Sequence, residues 1–354
     1  MDVGEWTSVY ELTFQRGLHM KLISHPSKGS AVSRRWCLGV WWVLLCAPLV
    51  AWGQVGYPQR AVKLVAPFPP GGTSDVLARV IAQKLGEGLG QPVTVDNKPG
   101  AGGNIGHELV AKAAPDGYTL VLSNSSTLLN NPYLYKRMGF DPLTDFAPIS
   151  TVASAGQVLV VHPSVPVKTV AELTALAKAQ PGKLNFGSGG KGIQSHISGE
   201  MYISAVGVNM VHVPYKGTIQ AVTDLVAGQV QVVFSDMVPA MPQIKAGKVR
   251  ALAVTSTERS AALPELPTMI EAGVPGFNAG VWWSVLAPKG TPADIIARLN
   301  AELAKVVKHA DVIDTYKRLG VNTEHSTPPQ VLERVRAEGP MMIKILKDAG
   351  VDPE

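Results

Sequence analysis

From Arg60 onward, short runs of β-branched and apolar residues alternate with amphipathic stretches of about ten to fifteen residues. That alternation is the signature of an α/β fold. The strand-like runs are 62–66, 93–96, 119–122, 158–162, 184–186, 210–213, 230–234, 251–255 and 281–287. Most are unbroken apolar runs, as a mostly parallel sheet flanked by helices on both faces requires. Helical periodicity marks 74–85, 170–179, 194–204, 219–227, 293–309 and 329–349. In the first of these, Val76, Leu77, Val80, Ile81 and Leu85 share one face, and Gly86 and Gly88 follow as stop signals.

A chain of 354 residues with 46% apolar and 17% charged residues is long and apolar enough for two cores, and it is not a disordered protein. Its 27 scattered prolines exclude a long coiled coil. No long linker separates the halves, so the chain must cross between them on short segments, 148–162 outward and 278–287 back. The first domain is then discontinuous, 54–155 with 278–354, and the second is 156–277. One large domain is the alternative.

The amino-terminal 53 residues read differently. Residues 36–50 form an uncharged apolar run behind Lys28, Arg34 and Arg35 and ahead of Ala51-Trp52-Gly53. The run is short for a membrane span and has the three parts of an export signal, with cleavage expected near Gly53 and the mature protein in the periplasm. Arg34-Arg35 leaves the Sec and twin-arginine routes both open, a single amino-terminal anchor is the alternative, and Met20 is a second possible start. Cys37 and Cys46 both lie in this segment, so the exported part holds no disulfide and no thiolate site. Beyond residue 53 the net charge falls to +3, which argues against a nucleic-acid surface.

Two Gly-rich turns carry the candidate chemistry. Residues 62–75 run strand, Pro67-Phe68-Pro69-Pro70-Gly71-Gly72, then a helix start that Thr73 or Ser74 can cap. Free amides at such a start attract an anion, and glycine lets the backbone approach it. Residues 184–196 repeat the arrangement through Gly187-Ser188-Gly189-Gly190-Lys191-Gly192. Facing one another, the two turns can grip an acyl anion from both sides; each alone can also be a plain connection. A Walker A loop fails at Asn185 and Gly192, and Gly100 to Gly106 lacks dinucleotide spacing, so no nucleotide or other cofactor is called for. Ser188-Gly189-Gly190-Lys191 matches the Ser-x-x-Lys of serine acyl-transfer enzymes and Ser235-Asp236-Met237 nearly matches their second motif. Lys216-Gly217-Thr218, however, has the third motif's residues in the wrong order and place. His162, His196 and His212 stand on separate elements, without metal-site spacing. Asp236, after the 230–234 run, either faces a cleft, where it can bind an amine or hydroxyl, or caps the next helix.

The succession Pro69-Pro70-Gly71-Gly72-Thr73-Ser74-Asp75, Asn97-Lys98-Pro99-Gly100-Ala101-Gly102-Gly103, Pro115-Asp116-Gly117-Tyr118, His212-Val213-Pro214-Tyr215-Lys216-Gly217 and Leu286-Ala287-Pro288-Lys289-Gly290-Thr291-Pro292 resembles the Bug family. These are the extracytoplasmic solute-binding proteins of the tripartite tricarboxylate transporter group. The resemblance implies a two-lobe fold of the type II periplasmic-binding-protein kind, joined by two crossover strands and closing on a small mono- or dicarboxylate. It implies that Phe68, Gly71, Gly72, Thr73 and Asp75 hold the carboxylate through turn amides and ordered water. Ser188, Gly190, Gly192 and His196 would stand opposite, and Ser123, Ser125 and Thr127 would supply hydroxyls. Lys191 and Ile193 depart from the family pattern and suggest a ligand with an apolar edge or a second carboxylate. Membrane transporter subunits are the implied partners of a monomeric receptor; an orphan sensor is the alternative. Trp282 and Trp283, the only tryptophans after the signal, fall on the returning crossover.

Overall fold

The computed structural model describes residues 56–348 and 350–353; the expected signal, its arginines and both cysteines lie outside them. The first part runs β1 (Val62–Ala66), α1 (Thr73–Leu89), β2 (Val93–Asn97), α2 (Asn104–Ala111), β3 (Thr119–Asn124), α3 (Ser125–Leu129) and α4 (Asn131–Leu134). A 16-residue strand, β4 (Phe146–Val161), then leads into α5 (Val170–Ala179), β5 (Asn185–Ser188), α6 (Gln194–Val206), β6 (Val211–Pro214) and α7 (Thr218–Val226). After β7 (Val232–Asp236), α8 (Met237–Lys245) and β8 (Arg250–Val254), the chain returns through β9 (Gly280–Pro288). It ends with α9 (Ala293–Val306), α10 (Ala310–Arg318), β10 (Asn322–Thr323) and α11 (Pro328–Asp348).

β4 belongs to two groups of strands. Its first part, Phe146 to Gly156, pairs antiparallel with β9, which pairs antiparallel with β3; β3, β1 and β2 continue as parallel neighbours. From Gln157 to Val161 the same strand pairs antiparallel with β7, and from Val158 with β8, while β5 and β6 extend β7 in parallel. Each half therefore keeps a parallel core of three strands, and β4 and β9 join antiparallel. The changeover falls between Gly156 and Gln157. A Cβ on Gly156 would sit 2.9 Å from the Ser256 side chain, so glycine permits the close approach.

The unbroken apolar runs have the cause expected of them, burial on both faces. In β3, Leu120 and Leu122 join a core with Leu77, Ile81 and Leu303 on one side of the sheet, while Val121 joins Trp282 and Val335 on the other. In β7, Val232 and Phe234 face a core with Leu173 and Tyr202, and Val233 faces one with Leu225 and Met241.

One expectation is corrected. α1 does not stop at Gly86 and Gly88 but runs to Leu89 and ends at Gly90, whose φ of 72° is the left-handed cap. The two internal glycines serve close packing instead. A Cβ on Gly86 would lie 3.3 Å from the Val93 amide nitrogen, and one on Gly88 would lie 2.6 Å from Glu302 Oε2.

His107, on α2, is fully buried beside β3 and the Phe140 ring. Its Nδ1 lies 2.9 Å from the Gly103 carbonyl oxygen and its Nε2 2.8 Å from Ser123 Oγ. Burial disfavours the charged ring and pushes its pKa down to about 4. A histidine whose folded pKa lies below its unfolded value, about 6.5, stabilises fully above pH 6.5 and loses that contribution as pH falls toward 4. Urea unfolding from pH 7 to pH 4 should therefore show a fall of which His107 accounts for on the order of 3 kcal/mol. His107→Gln should flatten that slope by up to one proton, and equal slopes for the two proteins would refute the assignment.

Candidate ligand-binding cleft

The turn between β1 and α1 is held by its own side chains. Asp75 reaches back so that Oδ2 accepts from the Gly71 amide (2.9 Å) and Arg79 Nε (3.1 Å), while Oδ1 accepts from Asn97 Nδ2 (3.0 Å). Burial alone would push the Asp75 carboxyl up, but the hydrogen bonds from Arg79, Gly71 and Asn97, with the Arg79 charge, hold it below the ordinary range. Neither Thr73 nor Ser74 caps the helix. The N-cap is Gly72, without a side-chain bond. The Thr73 hydroxyl donates to Asp236 Oδ2 (3.3 Å), and Ser74 Oγ accepts from Trp283 Nε1 (3.0 Å). The first amides of α1 thus keep no side-chain cap and, like those of any helix start, have no intrahelical acceptor.

The second Gly-rich turn spends its amides internally. Gly189 N donates to Ser195 Oγ (2.9 Å), Gly190 N to Ser188 Oγ (3.2 Å) and Gly192 N to His196 Nδ1 (3.0 Å). Ser188 is wholly buried, donates to the Gly190 carbonyl (3.1 Å) and shares a 2.6 Å hydrogen bond with His212 Nε2. The His196 and His212 rings stack at 3.9 Å. Burial, then the His196 and Lys191 charges, push the His212 pKa down to about 3. This geometry gives the Ser-x-x-Lys reading no exposed nucleophile, and among the described residues no group suited to a metal ion is found.

A cavity of about 30 Å³ lies where the two halves meet. Five of its lining residues are helix N-caps: Gly72 of α1, Asn124 of α3, Ile193 of α6, Gly217 of α7 and Asp236 of α8. Each helix start carries a partial positive charge; that of α3 is met by Asn124 Oδ1, which accepts from Thr127 N, and that of α6 by Ser126 Oγ, which accepts from Gln194 N, while α1 and α7 start without a side-chain cap. Of the expected site residues, Phe68, Gly72, Thr73 and Asp236 line this cavity. Gly71 and Asp75 build the turn behind it. Ser188, Gly190, Lys191, Gly192 and His196 do not line it, and Ile193 does. Nor do the β3–α3 hydroxyls: Ser123 bonds His107, Ser125 Oγ accepts from Trp282 N (3.3 Å), and Thr127 Oγ1 donates to the Gly102 carbonyl (2.9 Å). The lining residues not expected from the sequence are Pro69, Ser74 and Asn124 on one side and Gly217, Thr218 and Ile219 on the other, although Pro214-Tyr215-Lys216-Gly217-Thr218 offered the same strand, glycine and helix-start signal. A wider groove of about 570 Å³ between α4 and α11 has mainly apolar walls and lies apart from these helix starts.

Asp236 is the one ionisable residue lining the cavity. Its Oδ1 accepts from Gln157 Nε2 (3.0 Å), and Oδ2 accepts from Thr73 and Thr218 at 3.3 Å each. Burial pushes its carboxyl up, opposed by the bonds from Gln157, Thr218 and Thr73. It does not cap α8 through its side chain.

The cleft is shut. Asn130 Nδ2 donates to the Gly192 carbonyl (2.8 Å), and the Gln194 amide donates to Ser126 Oγ (3.0 Å). Gly192 has a φ of 75°, and a Cβ there would lie 1.8 Å from Leu134 Cδ1. Gly192→Ala should cost about 1–2 kcal/mol from the left-handed backbone alone, plus the contact. Leu134→Ala in the same chain should relieve only the contact, giving a coupling of about 1 kcal/mol in urea unfolding; strictly additive effects would show that the two residues do not meet in solution.

Residues 77–351 match the tripartite tricarboxylate transporter family receptor, TctC. Protein BugT of Bordetella pertussis is 38% identical over 295 residues, covering 83% of this chain and 90% of its own. Among solved structures, Rhodopseudomonas palustris Rpa4515 with adipate superposes with a TM-score of 0.83 at 37% identity, covering 84% of this chain and all of that one. MatC from the same organism, with bound malate, gives a TM-score of 0.78 at 32% identity, covering 82% of this chain and all of its own. With the family matched across most of its length and relatives covered nearly end to end, the chain belongs to the receptors of the tripartite tricarboxylate transporter family.

Proposed function

We propose that this protein is a periplasmic solute-binding receptor that captures a small carboxylate in the cleft between residues 54–155 with 278–354 and residues 156–277, and delivers it to membrane transporter subunits. The single observation behind this reading is the convergence of five helix N-caps on one cavity that no lysine, arginine or histidine lines. Helix-start amides are the natural partners of an anion in such a place. A hydrogen bond to a charged group contributes about 1.5–3 kcal/mol, so four or five reach the roughly 8 kcal/mol of micromolar binding. The likeness to structures holding adipate and malate supports the same ligand class.

A cavity of about 30 Å³ holds little more than a water molecule, so ligand entry requires opening. The bend point we assign is Gly156 and Gln157, where β4 changes partners, with β9 as the second connection. The contacts proposed on the ligand are the first amides of α1 and α7 with the Thr73 and Thr218 hydroxyls. Periplasmic location follows from the family, and no helix among the described residues is long and apolar enough to cross a membrane. The family and its neighbours are receptors, which supports binding without turnover.

The test is a titration with C3 to C6 mono- and dicarboxylates, adipate and malate among them. At a hundredfold excess over Kd, a bound acid should stabilise by about 2.7 kcal/mol and raise Tm by about 4 °C. Tryptophan fluorescence should change with it, because Trp283 bonds Ser74 on the cavity wall. A flat response in both signals across the whole series would overturn the receptor reading.

A further inference from the structure

The proposed cleft has an unexpected charge balance. Its one ionisable side chain is Asp236, an acid, in a cleft proposed to take acids. Asp236 is held in an acceptor role. Gln157 is pinned at its far end by Ser198, whose hydroxyl donates to Gln157 Oε1 at 2.7 Å, so the Gln157 amide nitrogen is the end that meets Asp236 Oδ1. Thr73 and Thr218 reach Oδ2 from opposite sides of the cleft.

An ionised carboxylate offers about four lone-pair positions and donates nothing. Three are engaged here, two of them by 3.3 Å bonds from hydroxyls that can rotate toward a ligand. A ligand carboxylate that draws the Thr73 and Thr218 hydroxyls onto itself takes both donors from Asp236 Oδ2, and the same ligand must then supply one in return. An aliphatic carbon placed there leaves a buried charge short of a partner, and a second carboxylate adds like charge in a dry site.

Resting on the reading of the cleft as a carboxylate site, we propose that Asp236 sets its specificity, selecting a carboxylate that also carries a hydroxyl or ammonium donor placed against this side chain. Amides at the helix starts take the carboxylate, and Asp236 takes the donor. Discrimination of this kind is strong because the unsubstituted acid leaves the protein's own polar group unmatched.

Calorimetric titrations of C4, C5 and C6 acids, each in unsubstituted, hydroxy and amino form, test the proposal. In the wild-type protein at least one hydroxy or amino acid should bind tenfold or more tightly than its unsubstituted counterpart. Asp236→Asn, which replaces an acceptor-only group by one that also donates, should shrink that ratio below threefold. Unsubstituted acids that bind the wild type as tightly as their substituted partners, or a ratio unchanged in Asp236→Asn, would overturn the proposal while leaving the receptor reading intact. If no acid of the set binds, the receptor reading falls and this proposal falls with it. If the asparagine variant does not fold, the wild-type ratio alone decides.

Discussion

The direction of β4 governs how the rest of the molecule is arranged. β3, β1 and β2 run parallel to it, because β3 and β4 are both antiparallel to β9. β7, β5 and β6 run against it. Since β4 leads from the first group to the second, the carboxyl ends of the parallel strands in each group point at the other group. In an α/β unit the helix that follows a strand starts at the strand's carboxyl end, which is where such folds bind ligands. β1, β3, β5, β6 and β7 are each followed by a helix, and those helices are the five whose N-caps line the cavity. A shared backbone strand of 16 residues thus gathers five helix starts between two halves of a nearly neutral protein.

What was legible in the residues was what local pattern controls. β1 falls on 62–66 and α5 on 170–179, as the periodicity predicts, because apolar spacing and two-sided burial dominate there. The first half of β4 reads poorly, since Pro148, Ser150, Ser154 and Gly156 interrupt its apolar pattern; long-range pairing with β9 overrides their weak strand preference. α8 hides behind Pro239 and Pro242. The first sits in the opening turn, where a missing amide costs little, and packing of Met237, Ala240 and Met241 carries the helix past the second.

The candidate site was legible at the β1–α1 turn and at Asp236, and much less so in the other turns of the second half. Glycine density drew attention to 187–192, yet a turn's glycines do not reveal whether its amides are free. Here Ser188, Ser195 and His196, all within a few residues, satisfy them, and the glycines serve close approach instead: Gly189 packs so near Thr218 that a Cβ would lie 2.8 Å from its nitrogen. In the quieter 214–219 segment, with a single glycine, the Thr218 hydroxyl donates to Asp236 and Gly217 makes no side-chain cap, so this helix start also faces the cavity uncapped. The same logic applies to the first turn. Thr73 and Ser74 look like caps, but their hydroxyls serve Asp236 and Trp283, which leaves the helix amides uncapped where an anion site needs them.

The energetics of closure follow from the same contacts. The bond that crosses the cleft at its centre, Thr73 to Asp236, is 3.3 Å long and correspondingly weak. At the rim, Asn130 and Gln194 each make one good bond across the cleft, but Asn130 Oδ1 and Gln194 Nε2 are buried without a hydrogen-bond partner. An orphaned buried polar atom costs about 1–3 kcal/mol, enough to offset most of what a single neutral hydrogen bond contributes. The polar bonds at the rim therefore add little net hold, and the buried apolar cluster that Leu134 forms with Ile197, Leu346 and Val351 carries the contact across the same seam. In the proposed receptor, a ligand that bonds the helix starts of both halves adds to that apolar contact, which couples occupancy to closure.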